Sequence, residues 1–356
     1  RGMPASRLDY CTVSVHVGFS SYCQRGEEDA MPDHEMNLDQ FQRLLWGFAS
    51  HRVITVAGRT GILRLLGERN CTAEEIAARL DLDERAVGKV VRALTALGIA
   101  EADGERYRAA AGLREHFLPG DRDVVPFLEH SHSMYERWGE TLEPWLRGED
   151  WPVAERTPEE LRRFGAAMRA MGAQMARRVA DALDLEGVER MLDVGGGWGH
   201  FAQAMCRVRP GLQATVLDRP EVVEKARAEL AGSELEERID FIPGDYLTTE
   251  YGTGYDLVLF ANILHQETAD RAQELVRRGA AALSPEGQVT VVDFAIDDEQ
   301  RKHLLGALFA INMRSFGDTW TEVDIRGWMA DSGLDKIERI DLGPDRWIIS
   351  GRLSDH

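Results

Sequence analysis

Apolar residues recur at two periods along this chain, and the change of period divides it. Between Met36 and Leu66 they fall three and four apart (Leu38, Phe41, Leu44, Leu45, Phe48), which predicts helix. Thr72, with Glu75 three residues on, forms a capping box that opens a short helix, Ala73–Leu80. A turn at Asp81-Leu82-Asp83 leads into a second helix, Glu84–Leu97, which Gly98 stops. Ile99-Ala100 then runs through Asp103-Gly104 to Tyr107-Arg108. Helix, turn, helix and hairpin in that order are the pattern of a winged helix. Helical spacing returns from about Pro119 to Leu185, with Trp138, Leu142, Trp145 and Leu146 on one stripe. Thr157 as N-cap and Pro158 at the first helical position open a long helix to about Leu183, which carries Phe164, Met168, Met171 and Met175.

Beyond Val188 the period changes, and short apolar runs alternate with helical stretches, the pattern of a doubly wound sheet. The predicted strands are Arg190–Val194, Ala214–Asp218, Ile239–Ile242, Leu257–Asn262, Gln288–Phe294, Ile337–Ile340 and Trp347–Ser350. The intervening helices include His200–Val208, Glu221–Ala231, Ala269–Ala281 and Glu322–Ser332. Gly343-Pro344 between the last two strands predicts a reversed hairpin at the sheet edge. Four units follow: an arm or extended, appended segment over 1–35, a winged-helix unit over 36–118, a helical connector over 119–185, and an α/β domain over 186–356.

Composition narrows the function. With 356 residues the chain is long enough for two cores. The net charge of -19 opposes binding to nucleic acid or an anionic membrane. The second helix of the winged unit carries Glu84 beside Arg85, Lys89 and Arg92, and its hairpin adds Glu101, Asp103 and Glu105. Phosphate neutralisation needs clustered cations, so a protein–protein role is expected instead. Cys11, Cys23, Cys71 and Cys206 are scattered, without a disulfide or zinc spacing, and no metal is expected. Without a disulfide framework a reducing cytoplasm is the expected location, and no apolar run is long enough to span a membrane.

The chemistry centres on Met191-Leu192-Asp193-Val194-Gly195-Gly196-Gly197-Trp198-Gly199. A buried strand ends in an acid, turns on glycines at Gly195, Gly197 and Gly199, and enters a helix near His200. Such a turn lets the backbone approach a ligand closely and aims a helix N-terminus at it. The spacing G-x-G-x-G resembles the first motif of the class I S-adenosylmethionine (SAM) methyltransferases, in a mostly parallel, Rossmann-like α/β fold.

Ligands in these sheets bind beyond the carboxyl ends of the strands. Asp218, about 20 residues past the glycines, suits ribose hydroxyls. Asp193 faces the amino-acid end, and Gly244-Asp245-Tyr246 offers a carboxylate to the adenine amine and a ring to the base. Asn262-Ile263-Leu264-His265 closes the fourth strand, and Asp293 lies near the end of the fifth. Methyl transfer to a hydroxyl needs alignment and removal of one proton, which an imidazole can accept. Asp293 could orient that ring. A purely structural histidine, and a Met/Phe stripe that only packs a core, are the plainer alternatives.

Together with Val216-Leu217-Asp218-Arg219-Pro220, Phe241-Ile242-Pro243-Gly244-Asp245, Leu264-His265, Ala282-Leu283-Ser284-Pro285-Glu286-Gly287 and Asn312-Met313, the chain resembles the winged-helix-dimerised small-molecule O-methyltransferases. That family includes plant caffeate, mammalian acetylserotonin and bacterial polyketide or phenazine enzymes. The resemblance covers about Leu38 to Gly351. It implies a homodimer, SAM as methyl donor with S-adenosylhomocysteine as product, and a hydroxylated aromatic or polyketide-like substrate of secondary metabolism. It also implies His265 as general base, and substrate contacts at Phe164, Met168, Asn312 and Met313.

Departures from the family pattern leave other chemistry open. Gln266-Glu267 follows His265 where Asp-Trp is usual, and Thr319 stands where a second acid is expected. Methylation at carbon or nitrogen, SAM binding without transfer as in a hydroxylase of this architecture, and a ligand-sensing regulator are the rival readings.

Overall fold

The computed structural model describes residues 36–120, 122–149, 158–299, 303–313 and 317–354; the side chains of 158–164, 166 and 170 lie outside the described residues. The arm over 1–35, with Cys11 and Cys23, and the expected N-cap Thr157 also fall outside them.

The first helices are α1 (Leu38–Leu45), α2 (Gly47–Arg59) and α3 (Ile62–Glu68). Helix α1 starts on a capping box between Asn37 and Gln40 and buries none of its residues. Among the described residues nothing covers its apolar stripe: Leu38 and Leu44, with Trp46 just after the helix, are each more than half exposed. The three- and four-residue spacing predicted the helix, and the buried residues of this unit begin at Thr55 and Ala57 of α2.

A two-residue strand β1 (Cys71–Thr72), α4 (Ala73–Leu80), α5 (Glu84–Ala96), β2 (Ala100–Asp103) and β3 (Arg106–Ala109) follow. The Thr72–Glu75 capping box forms in both directions. Asp81 closes α4 in the left-handed region (φ 53°). Strand β3 pairs antiparallel with both β1 and β2, so the hairpin is a three-stranded sheet. Ile76, Val87, Val91 and Leu94 pack beneath it with Leu63 and Leu66 in a separate small core.

Helices α6 (Val125–Leu146) and α7 (Pro158–Ala182) connect this unit to the larger one. The latter runs β4 (Arg190–Val194), α8 (His200–Val208), β5 (Gln213–Asp218), α9 (Pro220–Leu230), β6 (Ile239–Pro243) and β7 (Tyr255–Ala261). It continues through α10 (Ala269–Ala281), β8 (Leu283–Phe294), α11 (Leu304–Asn312), α12 (Glu322–Asp331), β9 (Leu334–Asp341) and β10 (Arg346–Leu353). The sheet order is β6-β5-β4-β7-β8-β10-β9. Strands β4 to β8 pair in parallel, whereas β10 is antiparallel to both its neighbours. The hairpin thus inserts its second strand beside β8 and leaves β9 at the edge. Apolar side chains on the two faces build two cores, one under α7, α8 and α9 and the other under α10 and α12. No helix among the described residues is long and apolar enough to cross a membrane.

Candidate active site

Strand β4 is buried on both faces, and its last acid is buried with it. Asp193 is 0% exposed, and neither carboxylate oxygen makes a full hydrogen bond. Burial pushes this carboxyl up to about 7, opposed by the Ala202 N–H and assisted by the nearby negative charge of Asp218. Just beyond it the backbone turns. Gly195 has φ +66°, and a Cβ there would meet Ile263 Cδ1 at 2.3 Å. A Cβ on Gly196 would meet the Asp193 carboxyl carbon at 2.4 Å. The turn therefore depends on missing side chains at both positions.

The rest of the turn is tied to β5. Gly195 N–H donates to Leu217 O at 2.7 Å, and Gly197 N–H donates to Asp218 Oδ2 at 2.7 Å. Asp218 also accepts from Arg219 N–H, yet its burial still raises its carboxyl above the ordinary range. Gly199, in the left-handed region, caps α8 and turns its open N-terminus toward this cradle. Asp245 is exposed after β6, and Tyr246 is half-buried beside Gly195. Tyr246 is held at both ends. Its hydroxyl donates to Glu267 Oε1 at 2.7 Å, and its carbonyl accepts from Arg278 and from the Tyr251 hydroxyl. Burial and Glu267 raise the Tyr246 phenol well above its usual range. The unusual Glu267 after the histidine thus has a local partner, and Gln266 Nε2 donates to Asn262 O at 2.8 Å.

An orphaned, desolvated carboxylate under a glycine turn fits the cationic amino-acid end of SAM. The neighbouring Asp218 fits ribose hydroxyls, and Asp245 with Tyr246 fits an adenine.

The second half of the site sits where β7 and β8 end. Asn262 leaves β7 in the left-handed region (φ 58°), and a single 3-10 turn, Leu264–Gln266, follows. That turn brings His265 Nδ1 to 2.6 Å from Asp293 Oδ1, with both side chains buried. Asp293 also accepts from the backbone N–H of Phe294 at 2.8 Å. His265, its hydrogen bonds and Arg346 hold the Asp293 carboxyl below the ordinary range although burial opposes this. Two rings wall the imidazole. Phe309 meets it edge-on at 4.9 Å and stacks on Phe294 at 3.7 Å. The carbonyl of His265 is approached so closely by Gly317 that a Cβ would lie 1.8 Å from it.

Helix α7 crosses the glycine turn: Gly165 faces Trp198, and the Arg169 guanidinium lies 5.0 Å from that ring. Met168 is half-buried on this helix. Phe164 belongs to α7, but its side chain lies outside the described residues. Asn312 and Met313 end α11, the helix that carries Phe309, and Asn312 Oδ1 accepts from Trp138 Nε1 of α6 at 3.4 Å. Thr319 is buried and donates to Gly306 O at 3.0 Å, so its hydroxyl is committed to the chain itself.

Arg346, Phe294, Phe309 and Glu267 join the site without a sequence signal. Each is an ordinary residue of a strand, helix or turn until the sheet brings it beside His265 or Tyr246.

The O-methyltransferase domain model matches residues 137–334, more than half of the chain. Human acetylserotonin O-methyltransferase is 32% identical, with 77% of this chain and 86% of that protein covered. The 3-hydroxy-5-methyl-1-naphthoate 3-O-methyltransferase of Streptomyces sahachiroi is 28% identical, covering 83% of this chain and 89% of that protein. The crystal structure of the SAM-dependent methyltransferase SibL is similar with a TM-score of 0.74 at 27% identity, covering 90% of this chain and all of that one. This chain belongs to the O-methyltransferase domain family and is a SAM-dependent methyltransferase.

Proposed function

We propose that the enzyme methylates a phenolic hydroxyl on an aromatic or polyketide-like small molecule, with His265 as general base. The buried His265–Asp293 pair carries this reading. Asp293 accepts at Nδ1, which fixes the proton there and leaves Nε2 as the basic nitrogen. A phenol titrates near 10, so an imidazole positioned on its proton can assist attack without prior ionisation. When bound, SAM supplies an activated methyl group on a sulfonium. Asp193, Gly195, Gly197, Gly199, Asp218, Asp245 and Tyr246 are the residues assigned to hold it. Met168, Asn312 and Met313 border the substrate side, with Phe164 on the same helix as Met168, and the Phe294–Phe309 stack excludes water from the imidazole.

The substrate class draws support from what relatives are named for: a hydroxynaphthoate enzyme and the mitomycin 6-O-methyltransferase of Streptomyces lavendulae. The working assembly is a homodimer, because α1 presents an apolar stripe that the described residues leave uncovered. Calorimetry with SAM and S-adenosylhomocysteine, followed by mass spectrometry against phenols and hydroxylated polyketides, tests the reading. Saturable binding and a one-methyl mass gain are expected; binding with no gain on any hydroxyl would overturn it. Thr319 favours one second reading. Without a second acid, the site also suits an already nucleophilic carbon or nitrogen, and the position of the added methyl separates the two.

A further inference from the structure

Among the described residues, Arg346 is a charged side chain close to the His265–Asp293 pair that the proposed chemistry leaves without a task. It opens β10, 53 residues from Asp293 in sequence, and antiparallel pairing sets it opposite Phe294, the residue after Asp293. Its guanidinium lies over the Phe294 ring at 3.3 Å from the centroid, on a ring that itself stacks with Phe309. Its Nη1 donates to Asn262 Oδ1 at 2.5 Å. Asn262 is the left-handed residue from which the turn bearing His265 departs, and its N–H is anchored to Val292 O at 2.8 Å. One side chain therefore grips the loop of the base and lies on the ring of the residue that follows Asp293.

We propose that Arg346 is a positioning residue for the His265 base: it neutralises Asp293 and ties down the Asn262 turn, so the imidazole waits neutral and correctly aimed. The inference rests on His265 acting as the base. A base must be unprotonated before it acts. At that moment Asp293 is an anion in a buried site, and a buried lone anion strongly favours a proton on its neighbour. Without Arg346 the two groups would rest as an imidazolium–carboxylate pair, with the base already occupied. With Arg346 the carboxylate already has a cation, and the imidazole need not supply one.

The surrounding charges fit this balance. Asp293 feels the positive charge of Arg346 beside the hydrogen bond from His265. Arg346 feels Asp293 and Asp345 on one side and Arg178 of α7 on the other, and burial lowers it to about 10, still charged at neutral pH. Arg178 is itself engaged with the Leu342 carbonyl, and Asp345 shares with Asp293 the negative charge that Arg346 feels.

The test reads the imidazole directly and needs no substrate. Full-length protein labelled with carbon-13 at histidine Cε1 is titrated by NMR, with the His265 signal assigned from His265→Gln. Arg346→Gln removes the charge and Arg346→Lys keeps it; thermal melts confirm that each is folded. Arg346→Gln is expected to raise the protonation midpoint of the pair by about one pH unit, a tenfold gain in proton affinity, and Arg346→Lys to recover most of the difference. Equal midpoints in the wild type and both variants would overturn the proposal. So would an equal shift in both variants, which would mark Arg346 as a packing residue only. Should Arg346→Gln not fold, Arg346→Met, which keeps the packing stem, takes its place in the same comparison. Because no SAM or acceptor enters the experiment, a wrong assignment of the methyl acceptor would leave this outcome untouched.

Discussion

His265 Nδ1 and Asp293 Oδ1 lie 2.6 Å apart although 28 residues separate them, because parallel strands β7 and β8 end side by side. In the proposed reaction this contact orients His265 as the base. His265→Ala is expected to keep SAM affinity within a factor of about two and to lower turnover on a phenol by about 10²–10⁴. Calorimetry and single-turnover mass spectrometry check the two halves; undiminished turnover would remove the base assignment.

Asp193 makes stability depend on pH. Its folded carboxyl titrates near 7, whereas an unfolded aspartate titrates near 3.9. Between those values the folded chain holds a proton that the unfolded chain has lost, so stability falls as pH rises through the window. The ceiling is about 4 kcal/mol, at about 1.4 kcal/mol per pH unit. Melting curves from pH 4 to pH 8 should show this fall in the SAM-free protein, and Asp193→Asn should flatten it. Parallel profiles for the two proteins would refute the assignment.

Gly195 has both a left-handed backbone and Ile263 against it. Gly195→Ala should cost about 1–3 kcal/mol and weaken SAM binding at least about tenfold. Gly211, with open space where a Cβ would stand, is the control. Its alanine variant should stay within about 0.5 kcal/mol of the parent, and equal losses at the two sites would contradict the account.

Thr319 occupies the position of a family acid but donates to Gly306 O from a buried site. Thr319→Val should lower stability by about 1–3 kcal/mol through the unpaired carbonyl. It should leave the pH dependence of methyl transfer unchanged. A displaced pH profile would give Thr319 a part in the chemistry.

Helix α1 buries none of its residues among the described ones. Leu44→Glu with Leu45→Glu should therefore yield a folded monomer by light scattering, with a melting temperature close to that of the parent. Persistence of a dimer would move the interface elsewhere.

Much of this protein was legible in the sequence because local physics decides it. The capping box at Thr72, the glycine turn after Asp193, and alternating short apolar runs each act within a few residues. They specify a helix start, a ligand-facing turn and a parallel sheet whatever lies elsewhere. The resemblance of the motifs to a known family supplied the cofactor.

Tertiary structure decided the rest. Whether an amphipathic helix faces a core or solvent depends on what lies across from it, so the spacing that predicted α1 left its burial open. The insertion of β10 between β8 and β9, rather than at the edge, depends on pairing across the whole sheet. That insertion alone sets Arg346 opposite Phe294, and no spacing in the chain announces it. Glu267 likewise reads as a lost family residue until the fold places the Tyr246 hydroxyl against it. Contacts between residues distant in sequence follow from strand order, and strand order is settled only when the two cores are packed.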